Sequence, residues 1–323
     1  MSKFTTLASA AHLTAIETIG TRLDDNFTAE EALRHGGLEG WNVRLWPHLA
    51  TDPATGRQIA VPDSNDVVRD TEDGGVAVLS KRTVSDGFTV IQNEAHIEFL
   101  NTLAEESGAK FELAGAVDGG RRVFVSMKLQ GGLLIGGQDQ IQNSLVAINS
   151  HDGSMSFTLA VMPIRYACSN LLNTKWGKLD NMIRIRHTSG ATKGMVEKAR
   201  RALDISFDYL EEFQVEAERM INTTMTQAKF EEIIAKEYGA PEDAADATVT
   251  RCQNKIDEIM SLYAEADTQE GYRGTAWAGF NALTEWADHY APTRGDDRDR
   301  ARATNAIFQP KFKERARELM LGV

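Results

Sequence analysis

The chain has 323 residues, 42% of them hydrophobic and 25% charged, an ordinary balance for a folded protein that excludes wholesale disorder. Its formal net charge is −12, and its two cysteines, Cys168 and Cys252, stand far apart, which excludes a disulfide scaffold or zinc knuckle and fits a reducing compartment. No apolar run approaches the roughly 20 residues that cross a bilayer, and Thr5, Thr6, Ser9, His12 and Thr14 interrupt the opening segment, so a soluble, cytoplasmic protein is expected.

Along the chain, the spacing of Leu7, Ala11, Ala15 and Ile16 predicts a short helix over residues 3–19. WNVRLWP alternates like a strand that Pro47 ends, and PATGRQIAV reads as a turn into a second strand. VVRDTEDGGVAVLS predicts a hairpin around Glu72-Asp73-Gly74-Gly75, because glycine supplies the positive φ of tight turns. TVIQNEAHIEFLNTLAEESG predicts a helix with Asn93 as N-cap, Ala95, Phe99, Leu100 and Leu103 on one face, and Gly108 just past its end. FELAGAVDGGRRVFVSMKL then predicts two strands bent at Asp118-Gly119-Gly120, and QIQNSLVAINSHDGSMSFTLAVMPIRYAC a hairpin turned at His151-Asp152-Gly153-Ser154. After Pro163 the character changes, with helices predicted over 190–237, 246–267, 275–290 and 300–321. Strands first and helices last, without βαβ alternation, predict an α+β fold. A mainly antiparallel sheet with a packed helix would fill residues 1–190, and a helical region residues 191–323.

Charge is the most uneven property of the chain. Residues 163–202 hold nine Lys and Arg against two Asp and Glu, whereas the segments on either side are both acidic. Arg165, Lys175, Lys178, Arg184, Arg186, His187, Lys193, Lys198, Arg200 and Arg201 make up this basic island, together with Tyr166 and Trp176. Cations of this density neutralise phosphates, and neighbouring aromatics stack on unpaired bases. Arg184 and Arg186 would share a strand face, because side chains alternate. The alternative is a solvated strip paired with the acidic flanks or with an acidic partner.

Two other constellations carry polar chemistry. His151 and Asp152, with Asn170, form a possible second site, although Asp152 and Ser154 equally suit the cap of a tight hairpin. In GTAWAGFNALTEWADHY, Ala276, Phe280, Leu283 and Ala287 line one helical face while Trp277, Trp286 and Tyr290 broaden it, so the helix reads as core or as a subunit contact and a homo-oligomer is expected. Cys168 reads as a small buried hydrophobe. The glycine pairs lack the contexts of nucleotide loops, no metal-ligand spacing occurs, and no catalytic set is recognisable, so neither cofactor nor metal is expected.

The strings GGLEGWNVRLWP, AGAVDGGRRVFVSMKL, NSHDGSMSFTLAVMPIRYACSNLL, IRIRHTSG and GTAWAGFNALTEWADH, taken together and in this order, resemble the phage/plasmid-like domain-of-unknown-function family 932 over about residues 35–320. The departure is CSNLL, where Asn170 is kept but Leu171 replaces an expected polar residue. The resemblance implies a mobile-element origin, hence a host-cell cytoplasmic setting, and a nucleic-acid-processing neighbourhood. With the basic island, it leads to the expectation of a non-enzymatic nucleic-acid-binding protein, for single-stranded DNA, with a phage assembly or protein-interaction factor as the alternative.

Overall fold

The computed structural model describes residues 13–23, 27–175, 180–185 and 194–323. It opens with α1 (Ala15–Ile19), β1 (Thr21–Arg22) and α2 (Ala29–His35), the two helices each closed by a capping box from Thr14 or Thr28. The predicted opening helix is therefore present over Ala15–Ile19, and residues 3–12 lie outside the described residues.

Next come β2 (Arg44–Thr51), β3 (Gln58–Asp70) and β4 (Val76–Val78), an antiparallel three-stranded sheet in the order β2-β3-β4. Pro47 does not end its strand: β2 continues through it with a bulge between Pro47 and Leu49. Because β2 is an edge strand, the missing N–H of Pro47 breaks no ladder. Then α3 (Ile97–Ser107) follows a 3-10 turn at Asn93–His96, and Gly108 terminates it at φ 66° as expected. Asn93 is not a cap: its amide is buried and donates to the Leu38 carbonyl at 2.8 Å.

The central sheet is built from β5 (Lys110–Val117), β6 (Arg122–Lys128), β7 (Leu133–Ile135), β8 (Asp139–Ser150), β9 (Phe157–Arg165) and β10 (Met182–Ile185), with β1 at one edge. Its order is β1-β5-β6-β8-β9-β10, all antiparallel, with β7 pairing the start of β8. All nine residues of β9 are buried, because both faces of the sheet are covered there.

The remaining helices are α4 (Met195–Ile221), α5 (Gln227–Tyr238), α6 (Asp246–Glu265), α7 (Ala276–Glu285, extended by a π turn to Tyr290), α8 (Arg298–Phe308) and α9 (Lys311–Leu321). The single helix predicted over 300–321 is two, because Pro310 holds Gln309 out of the helical region at φ −130° and ψ 64°. On one sheet face Val125, Leu145, Leu159 and Val161 join a large apolar cluster with α3, α4 and α7. On the other, Phe124, Val146, Ala160 and Met162 pack beneath α1 and α8 through Ile16, Ile19, Ala303 and Ile307. Among the described residues the second cover is partial, and the end of that face that they leave uncovered is the open surface of the sheet.

Candidate binding concavity on the central sheet

Strand alternation decides what the open end presents. Lys128 and Ser126 of β6, and Gln140 and Gln142 of β8, share the parity of the residues under α8 but lie beyond that helix. A bulge in β5, where pairing passes from Phe111–Met127 to Leu113–Ser126, adds Glu112 as an extra residue while Phe111 stays in the main core. Tyr166 follows β9, its N–H donating to the Gln140 carbonyl at 3.0 Å, and the residue is 73% exposed. Together with Arg22 and the rim Gln130–Leu134, these residues enclose a concavity of about 870 Å³. That volume lies within the roughly 300–1,000 Å³ of small-ligand sites.

The charges at this end of the sheet are unevenly matched. Lys110 and Lys128 are exposed and lie directly opposite each other across the β5–β6 ladder, where like charges repel. Neither has a carboxylate within ion-pair distance among the described residues. Arg22 is paired to Glu17 at 2.5 Å at the margin. Glu112 is half-buried on the floor, its Oε1 3.4 Å from Gln142 Nε2 and its Oε2 3.5 Å from Ser126 Oγ. Burial pushes its carboxyl above the ordinary carboxylate range, and the Gln142 amide and the Lys128 cation only partly offset this.

Of the residues singled out in the sequence, Tyr166 lines the concavity, and the other described ones lie elsewhere and do not converge. Arg165 is completely buried at the end of β9, with Nε 2.7 Å from Asp139 Oδ2, an oxygen that also accepts from Trp277 Nε1 at 2.7 Å. Its guanidinium lies 5.0 Å from the Tyr272 ring, and through the Asp139 oxygen shared with Trp277 it ties the sheet to α7, so it cannot face a phosphate. Arg184 pairs with Asp180 at 3.1 Å, and its register opposite Thr158 puts it at the far end of β9 from Tyr166. Arg200 pairs with Glu106 at 2.8 Å, between α4 and α3 on the opposite face of the sheet, and Arg201 is exposed on the same helix. Lys175 is exposed. Trp176, Lys178, Arg186, His187 and Lys193 lie outside the described residues.

The second candidate is structural. Asp152 accepts from Ser150 Oγ at 2.7 Å and from the Ser154 N–H at 3.0 Å, with Gly153 at φ 71°, which is hairpin-turn chemistry. His151 is buried against Trp41, with Nε2 2.9 Å from Asn93 Oδ1. Asn170 is buried between Cys168 and Thr284, and burial pushes the Cys168 thiol well above its usual range. The Leu171 side chain fills the apolar cluster under α8, while its N–H donates to Asp288 Oδ2 at 2.7 Å. Asp288 in turn holds buried Lys313 at 2.7 Å. Among the described residues no group of three metal-ligating side chains is present, and no helix is long and apolar enough to cross a membrane.

Fold and site together define an α+β protein with a polar, cation-lined concavity on an antiparallel sheet. Residues 81–307, more than two thirds of the chain, match the family model described as "Domain of unknown function (DUF932)", and the chain belongs to that family. The matched span contains Lys110, Glu112, Lys128, Gln142 and Tyr166. No curated protein and no solved structure matches the chain.

Proposed function

We propose that the protein binds nucleic acid as a single strand, laid across the open end of the central sheet, in the phage or plasmid DNA metabolism that the family resemblance implies. The observation that carries this reading is the pair Lys110 and Lys128, opposed across a ladder with no carboxylate at ion-pair distance among the described residues and set in a concavity beside an exposed tyrosine. A phosphate between the two lysines relieves their repulsion and releases counterions. The Tyr166 ring offers a stacking platform that only unpaired bases can use.

Fluorescence anisotropy with labelled single- and double-stranded oligonucleotides over a salt series tests the proposal. Lys110→Gln with Lys128→Gln is expected to weaken binding to all sequences and to make the single-strand salt slope shallower by roughly 1.4, if each lysine meets one phosphate. Tyr166→Ala is expected to cost about 1–3 kcal/mol without changing the slope. Arg200→Gln, which removes a partner of Glu106 on the other face, is expected to change neither. Absence of binding at low salt by folded protein sinks the proposal.

A second reading, a protein-interaction or assembly factor that self-associates, draws on a different surface. The distal part of the β2–β3 hairpin is exposed throughout residues 49–60 and carries Leu49 and Ile59, with Trp46 at its base. An extended arm with apolar side chains suits a protein contact.

A further inference from the structure

We propose that Glu112 selects guanine in the bound strand, an inference that rests on the nucleic-acid reading and adds the base preference of its site. The floor of the concavity has two chemistries side by side. Lys110 and Lys128 attract phosphate, whereas Glu112 repels it, so a strand entering the site turns a base edge, not its backbone, towards the carboxylate. The geometry leaves both carboxylate oxygens available, since their contacts to Gln142 and Ser126 are long, 3.4 and 3.5 Å.

An ionised carboxylate only accepts hydrogen bonds. Of the four DNA bases, guanine alone sets two donors side by side on its Watson–Crick edge, N1–H and the N2 amine, spaced to meet the two oxygens of one carboxylate. Adenine and cytosine place an acceptor beside their exocyclic amine, and that acceptor would face the second oxygen. Thymine flanks its N3–H with two carbonyls. Unstacked bases in single strands are read on this edge. The path from Tyr166 to Glu112 runs over Gln140 and Gln142, neighbours on one face of β8, so a base stacked on Tyr166 brings the next base of the strand towards the carboxylate.

The experiment compares short labelled oligo-dT strands that carry one central dG, dA, dC or deoxyinosine, titrated against the intact protein by anisotropy. Wild type is expected to bind the dG strand roughly 5- to 150-fold tighter than plain oligo-dT, the range of a good bidentate contact. Deoxyinosine, which lacks the N2 amine, is expected to fall between. In Glu112→Gln the side chain presents one acceptor and one donor, so the dG advantage should vanish and the dA or dC strand should overtake it. The wild-type comparison of dG with deoxyinosine involves no substitution and is independent of any folding defect. If all strands bind alike while the Lys110 and Lys128 variants still lower the salt slope, the guanine inference falls and the nucleic-acid reading stands. If a dG preference persists in Glu112→Gln, the selecting residue is not Glu112. If no strand binds, both fall together.

Discussion

Arg165 shows how a residue type misleads when its depth is unknown. Counted along the chain it belongs to the basic island, but it points into the core and meets Gln269 and Asp139, the latter also held by Trp277. Asp139, twenty-six positions away, has no local signature that would pair it with Arg165. The P-x-R-x-x-C segment is accordingly a lock between the sheet and α7, with Cys168 and Asn170 in the same buried network. Breaking a buried pair from one side leaves an uncompensated charge, so Arg165→Met is expected to cost about 3–5 kcal/mol in urea unfolding. Pairing it with Asp139→Asn should cost clearly less than the two single losses combined, because both act through one interaction. Lys110, Glu112 and Lys128 were missed for a related reason. Their signal, polar residues at every second position in the first half of β8 and the adjoining ends of β5 and β6, appears only once the strands are registered side by side.

At the level of elements, hairpins and turns were legible because their determinants are local: Gly108 ends α3, and Asp152 and Gly153 turn β8 into β9. Interruptions set by position in the fold were not. Pro47 passes through an edge strand, whereas Pro310 divides a helix, and only the neighbouring elements distinguish the two. Another tertiary contact is Lys255 on α6, whose ammonium lies 3.6 Å from the Tyr238 ring, 4.8 Å from Trp286 and 4.6 Å from Phe312. Burial lowers its pKa from 10.5 to about 8, against the smaller opposing pull of Cys252 and Glu237. Between those values the unfolded chain carries a proton on this amine that the folded chain does not. Stability therefore gains from Lys255 as pH rises through that window. Lys255→Met should remove this part of the pH dependence, read as the difference between the unfolding curves of the two proteins at pH 7.5 and pH 10.

Across the whole molecule, the aromatic helix expected to be core or a subunit contact is consumed inside the chain: every residue of α7 is buried, and Trp277 and Phe280 join the cluster that reaches β8 and β9. That cluster runs without a break across residue 190, so the helices after it and the strands before it share one interior. A surface for self-association must be sought elsewhere, and the distal β2–β3 arm is a part of the described chain that contributes nothing to the interior. Residues 49–60 are all exposed, so their ladder holds two strands together without covering any core. Deleting residues 50–59 and closing Leu49 to Ala60 with Asn-Gly, a pair suited to two-residue hairpins, should leave the urea midpoint essentially unchanged. The expected change is within about 0.5 kcal/mol, as for surface changes remote from the core. Light scattering then separates the arm's own role from its lack of structural weight. If the arm mediates self-association, the intact protein is larger than one chain at micromolar concentrations and the shortened one is a single chain of equal stability. A shortened protein that keeps the intact assembly places the contact elsewhere, and one that unfolds shows that the arm supports the core after all.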